Sequence, residues 1–182
     1  MGAIDFPADG LDDGVIRLRI HADTDLDAVV KASLDPDVLR WTRVPTDNSV
    51  ELMRQWLGEW RTGDADELHL LVVDAESDGL LGAIGVVDMN QVQGRCSLGY
   101  WLAREARGRG TMVRAVRLLA SWIFSGLPIE RIEILPDPDN AASRSVAERA
   151  GFRFEGILRS YQDLKGRRID AASYSLLRDE LS

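Results

Sequence analysis

The chain has 182 residues, 45% of them hydrophobic, enough for one domain with a full core, and 30 acidic against 22 basic residues give a formal charge of -8. That balance disfavours a phosphate backbone as partner and favours amines, and neither a run of about 18 apolar residues nor a secretory leader is visible, so a cytoplasmic protein without nucleic-acid or membrane partners is expected. Cys96 is the only cysteine and His21 and His69 the only histidines, which excludes an intrachain disulfide and leaves too few ligands for a His/Cys metal site; no metal is expected.

Val15 to Ile20 alternates apolar and basic residues and reads as a strand with one buried face. Asp23 and Thr24 offer a cap for a helix carrying Leu26, Val29, Val30 and Leu34, with Pro36 at its end. Asn48 or Ser49 can cap a second helix, in which Val50, Met53, Trp56, Leu57 and Trp60 recur at helical spacing up to Gly63. Leu68 to Val73 and Leu80 to Val87, joined by the turn-forming Glu76 to Gly79, predict a hairpin, and Cys96 to Leu102 completes a meander. Thr111 to Phe124 reads as a central helix whose one polar stripe is Arg114, Arg117 and Ser121. A strand over Ile129 to Leu135, a helix over Asn140 to Ala150 closed by Gly151, and strands at Phe152 to Leu158 and Tyr174 to Leu177 complete the chain. Strands and helices in this order predict a mixed sheet with helices on its faces.

Between the meander and the central helix lies Arg104-Glu105-Ala106-Arg107-Gly108-Arg109-Gly110. Such a turn presents main-chain N–H groups at a helix N-terminus, where the dipole favours anions; the glycines allow close approach and the arginines add charge. The turn is suited to a pyrophosphate, with a tight solvated turn as the plain alternative. No Gly-Lys-Ser/Thr follows, so it is not a P-loop, and the hairpins before it exclude the βαβ setting of a dinucleotide fingerprint.

Arg107, Gly110 and Met112 resemble the pyrophosphate loop of the GNAT acyltransferases, Arg/Gln-x-x-Gly-x-Gly/Ala; Met112 departs from that pattern toward the RGRGxM form of the RimJ/RimL-like branch. Asp35 to Trp41, Gly99-Tyr100-Trp101-Leu102, Asn140 to Ser143 continuing to Gly151-Phe152, and Glu155 to Arg159 are similar to the same branch, so that the resemblance covers roughly residues 13 to 178. It implies an α/β (α+β) chain of the GNAT acyl-CoA N-acyltransferase fold, a single domain over 1-182. The expected sheet is mixed, mostly antiparallel and six- to seven-stranded, with about four helices on its faces. It implies acetyl-CoA as acetyl donor and direct transfer to a primary amine, first of all a protein or peptide N-terminal α-amino group; pairing into a homodimer is a further implication. An antibiotic, polyamine or amino-acid acetyltransferase and a non-catalytic acyl-CoA-binding module stay open as alternatives.

By the same resemblance Leu102, Arg107, Gly108, Arg109, Gly110, Thr111, Met112, Asn140 and Ser143 are expected to hold the donor, and Trp41 and Tyr100 to meet the acceptor. Asn140 is also an excellent N-cap on its own. Many family members protonate the leaving thiolate with a tyrosine where this chain has Ala147, and the branch has instead the serine matching Ser143, which makes Ser143 the catalytic candidate. A serine hydroxyl is a weak acid beside a thiol of pKa about 8.5, so it would act by hydrogen bonding or relay. The usual acids before Gly99 and after Arg159 are replaced by Ser97 and Gln162, which leaves Asp163, Glu133 and Asp88 as candidate bases. His69 and Cys96, each inside a strand, read as packed residues.

Overall fold

The structure, a computed structural model, describes residues 4–46, 49–62 and 67–181, with 58–62 as helical backbone alone. A short hairpin of β1 (Leu11–Asp12) and β2 (Ile16–Arg19) leads into α1 (Leu26–Ser33), α2 (Pro36–Trp41) and α3 (Val50–Thr62). The meander β3 (Leu68–Asp74), β4 (Leu80–Asn90) and β5 (Arg95–Leu102) follows. After α4 (Thr111–Gly126) come β6 (Arg131–Ile134), α5 (Ala141–Ala150) and the hairpin β7 (Arg153–Leu164) and β8 (Arg167–Leu177). The strands form one sheet in the order β1-β2-β3-β4-β5-β6-β8-β7, antiparallel throughout except where β6 joins β5.

The mixed, mostly antiparallel sheet is the one expected, but among the described residues it has eight strands rather than six to seven, and five α-helices rather than about four. The added strand β1 is two residues long. The added helix is α2: Pro36 opens it rather than ending its predecessor, because Asp35 accepts from the amides of Asp37 and Val38 and a proline at the first helical position loses no bond. Near the C-terminus, Lys165 and Gly166 have φ of 55° and 78°. Two left-handed residues in succession make a tight hairpin turn, which carries β7 past Leu158 and starts β8 well before Tyr174. The cap before α1 also differs: a single 3-10 turn, Asp23–Asp25, precedes the helix, and its last residue Asp25 is the N-cap position of α1 without a side-chain cap bond, its carboxylate accepting instead from the Ala22 amide at 2.7 Å. Ser49 Oγ accepts from Leu52 N at α3, whereas Asn48, Gly63 and the side chain of Trp60 lie outside the described residues.

Each face of the sheet has its own core. Leu70, Val72, Ile84, Leu98, Ile132 and Tyr174 pack under α4 and α5, against Met112, Leu119, Ile123 and Ala147. Leu71, Val73, Ala83 and Trp101, one residue out of phase, pack under α1, α2 and α3 against Val29, Val38 and Met53. Period-two alternation thus assigns neighbouring residues of one strand to opposite faces. Burial of each such side chain is worth roughly 1.5–3 kcal/mol. Arg114, Arg117 and Ser121 form the exposed stripe of α4 that their spacing predicts. No described helix is long and apolar enough to cross a membrane.

Candidate active site

The central irregularity of the sheet is where β5 meets β6. Only Arg95, Cys96 and Ser97 pair with Arg131, Ile132 and Glu133; from Leu98 to Leu102 strand β5 has no partner on that side. The chain leaving β6 is drawn toward the other hairpin instead: Gln162 Nε2 donates to the Leu135 carbonyl at 3.0 Å, and the Ala172 amide donates to the Pro136 carbonyl at 2.8 Å. Pro136 itself has no N–H to offer β5. The two strands therefore splay, and a cleft of about 700 Å³ opens between them.

At the far end of β5 the glycine turn delivers its amides to the N-terminus of α4. Gly108 and Gly110 are both left-handed, with φ of 74° and 79°, and Gly110 is the N-cap. Thr111 Oγ1 donates back to the Ala106 carbonyl, and among the described residues the main-chain N–H groups of Gly108, Arg109, Gly110, Thr111 and Met112 have no protein acceptor. A row of unpaired amides at a helix N-terminus can hold a pyrophosphate. Arg107, expected among the phosphate ligands, is spent elsewhere: its guanidinium donates to the Leu102 carbonyl, to Asp35 at 2.7 Å and to Asp37 at 3.0 Å. It locks the end of β5 to the first turn of α2. Burial works against the ionised Asp35, but hydrogen bonds from Arg107 and Arg104 and from the amides of Val38 and Asp37 hold its carboxyl down at about 2. Arg149, which the sequence did not single out, lies beside the turn. Its Nη2 lies 3.7 Å from the position a Cβ would take on Gly110, and among the described residues neither Arg149 nor Arg109 holds an ion pair.

On the α4 and α5 side of the cleft, Asn140 Oδ1 accepts from the Ser143 amide at 3.1 Å and fixes the first turn of α5. Ser143 Oγ lies 3.0 Å from Tyr100 Oη, which also donates to the Ser143 carbonyl at 3.2 Å. Tyr100, expected with Trp41 to meet the acceptor, lines the same cleft as Trp41; alternation along β5 packs its ring with the core under α4 and α5, while Trp101 faces the other way. Burial pushes the Tyr100 phenol well above its ordinary pKa, against the hydrogen bond with Ser143, which lowers it. The phenol stays a neutral donor. Ala147 is wholly buried against the sheet, so a tyrosine in its place would have no room; the phenol beside Ser143 comes from β5 instead.

The opposite mouth of the cleft is walled by Trp41 and Arg43 after α2, Trp56 of α3, and Tyr161 and Arg168 of the β7–β8 hairpin. Lys165 Nζ, at the hairpin tip, donates to the Leu39 carbonyl and ties this wall to α2. Of the candidate bases, Glu133 is engaged by Arg131 at 2.8 Å and by Arg95 at 3.6 Å, and Asp163 accepts from the Gly166 amide in the hairpin turn. Asp88 follows the bulge in β4 and lines the cleft. Cys96 is 1% exposed, and burial, with Glu133 and Asp88 nearby, pushes its thiol up to about 12. It is a core residue, not a nucleophile.

A strand that parts from its parallel neighbour, ends in a glycine turn and feeds the N-terminus of a buried helix is the arrangement that the resemblance to acyltransferases using a coenzyme A thioester implies. The model of the acetyltransferase (GNAT) domain matches residues 16–153, and the chain belongs to that family, in its RimJ/RimL-like branch. It is an N-acetyltransferase, and acetyl-CoA is its donor. It is 31% identical to "Uncharacterized N-acetyltransferase p20" of Bacillus licheniformis over 91% of this chain and 94% of that one. It is 36% identical to "Putative ribosomal N-acetyltransferase YdaF" of Bacillus subtilis over 67% of each. The fold is also that of RimL, a ribosomal L7/L12 alpha-N-protein acetyltransferase solved with coenzyme A, at a TM-score of 0.79 and 20% identity over 93% of this chain and 97% of that one.

Proposed function

We propose that this enzyme acetylates the free α-amino group of a peptide or protein. The observation that carries the reading is the splayed β5–β6 cleft, open to both faces of the sheet. In this reading the amides of Gly108 to Met112, with Arg109 and Arg149, hold the donor's pyrophosphate, and Asn140 and the unpaired flank of Leu98 to Leu102 line its arm. Main-chain N–H groups on that flank stabilise the developing oxyanion, a contribution typically worth about 3 kcal/mol. The amine enters between Trp41 and the β7–β8 hairpin and attacks directly. Ser143 Oγ donates to the departing sulfur, and Tyr100, fixed to the Ser143 carbonyl, supports that hydroxyl.

An α-amino group suits such a site because its pKa of about 8 leaves roughly a tenth of it neutral at pH 7, against well under one in a thousand for lysine. The relatedness to a protein named as a ribosomal N-acetyltransferase supports the same acceptor. A second reading, a small polycation, is favoured by the carboxylates of Glu67, Asp88, Asp137 and Asp163 in the lining of the cleft. Acetyl-CoA turnover on a panel of alanyl and seryl peptides, spermidine and free lysine, read by mass, decides between them. A preference for spermidine would reject the peptide reading.

A further inference from the structure

The first turn of α5 is held from both halves of the divided sheet. From β5, on one side of the splay, Tyr100 Oη lies 3.0 Å from Ser143 Oγ and donates to the Ser143 carbonyl at 3.2 Å. From β8, on the other side, Tyr174 Oη accepts from Arg144 Nε at 3.0 Å and donates to Glu148 Oε1 at 2.9 Å. Strand β8 belongs to the half beyond the gap, since Tyr174 is the register partner of Ile134 in β6 and of Phe154 in β7. Two phenols from opposite sides of the gap thus end on consecutive residues of one helical turn, Ser143 and Arg144.

Packing alone does not account for the Tyr174 hydroxyl. The side chain is wholly buried in the core under α5, its ring 5.3 Å from that of Phe154, and a phenylalanine would fill the same space. A buried hydroxyl costs stability unless it is bonded. Here it accepts one bond and donates another, both with α5 side chains one turn apart. Arg144 extends the constraint: Nη1 donates to the Pro138 carbonyl at 3.2 Å, in the segment between β6 and α5, and Cζ lies 5.9 Å from the centre of the Phe154 ring. A planar guanidinium that spans two acceptors has little freedom left. Asn140 caps the same turn from within its own segment, so it cannot tie that turn to the sheet.

Resting on the transfer reading above, in which Ser143 Oγ donates to the departing sulfur, we infer that Tyr174 and Arg144 are positioning residues that aim the Ser143 hydroxyl into the cleft. Both lie outside the lining of the cleft, so they act only through the turn they hold. Their action is geometric. A hydrogen bond to a developing thiolate depends on direction, and a misplacement of about 1 Å costs up to about 100-fold in rate. With Tyr100 as its one anchor to the sheet, the turn would be free to pivot about that phenol.

The test is a double-mutant cycle on kcat with acetyl-CoA and the best acceptor of the panel. It uses Tyr174→Phe and Ser143→Ala, singly and together, with calorimetric titration of acetyl-CoA and a thermal melt beside each. Tyr174→Phe is expected to lower kcat about tenfold with Ser143 present and less than about twofold in the Ser143→Ala background, where no hydroxyl is left to aim. Acetyl-CoA affinity should not change in either. Arg144→Lys keeps the charge but cannot span both acceptors, and it should show the same dependence on Ser143; it carries the test if Tyr174→Phe does not fold. Equal losses of kcat in the two backgrounds mark a merely structural role and overturn the inference, as does full kcat in the folded variants. A Ser143→Ala enzyme as fast as wild type removes the serine from the transfer reading and this inference with it, whereas an additive cycle on a slowed Ser143→Ala enzyme sinks the inference alone.

Discussion

The hydroxyl of Tyr100 lies 3.0 Å from that of Ser143, joining strand β5 to the first turn of α5 across the gap where the sheet divides. Because the phenol also donates to the Ser143 carbonyl, the serine proton is left to point either at the phenol or into the cleft. Removing the serine hydroxyl should therefore harm turnover and spare donor binding. Ser143→Ala is expected to lower kcat about 100-fold and Tyr100→Phe about tenfold, the range of a lost proton donor and of its support. Steady-state kinetics beside calorimetric titration with acetyl-CoA checks this; equal losses in kcat and in affinity would reject it.

At the glycine turn, Gly110→Asp should abolish acetyl-CoA binding. Its φ of 79° strains any side chain, aspartate less than most, but its Cβ would have no atom closer than Arg149 Nη2 at 3.7 Å, so a modest loss of stability should accompany the negative charge that meets the phosphates. Calorimetry and a thermal melt separate the two effects.

Arg149→Ala should weaken acetyl-CoA about tenfold, the loss of one charge-assisted contact, worth about 1.4 kcal/mol. The acceptor KM should not move. An unchanged donor affinity would show that the guanidinium only lies beside the turn.

The Asp35 carboxylate makes stability depend on acid. Its folded pKa of about 2 lies below the unfolded value of about 3.9, so the contribution is fully present above about pH 4 and is lost as pH falls toward 2. Asp35→Asn should melt lower than wild type at neutral pH, and the difference should narrow between about pH 4 and about pH 2. A difference that stays constant over that range would contradict the assignment.

Lys165→Ala removes the tie from the hairpin tip to the Leu39 carbonyl. Acceptor KM should rise several-fold, with acetyl-CoA affinity unchanged, because only the acceptor wall loosens. A change in donor affinity instead would place the hairpin on the other side of the chemistry.

What was legible in the sequence is what local chemistry dictates. Gly108 and Gly110 break a strand pattern and start a helical one, Asn140 precedes a helix it can cap, and the meander alternates cleanly; each signal lies within a few residues of the feature it produces. The splay depends on which residues of β6 find β5, a pairing between positions 95–97 and 131–133 that no window of sequence contains. The side of the sheet that Tyr100 faces was open to alternation counting, but its contact with Ser143, 43 residues away, was not. Arg149 gave no signal, being one arginine on the exposed side of a short helix, and its meeting with Gly110 arises from the packing of α5 on α4. Lys165-Gly166 did carry a turn signal, and with it the length of the last two strands could have been read.

The carboxylate of Asp35 has two engagements: it starts α2, whose far end reaches the cleft at Trp41, and it anchors Arg107, which holds the end of β5 just before the glycine turn. Anyone refashioning this enzyme for a new amine will be drawn to α2 and the residues after it. The exposed Arg40 and Arg43 can be varied for that purpose, whereas Val44 belongs to the core, and a change at the helix start would be felt at the glycine turn, some way from any atom the new amine touches.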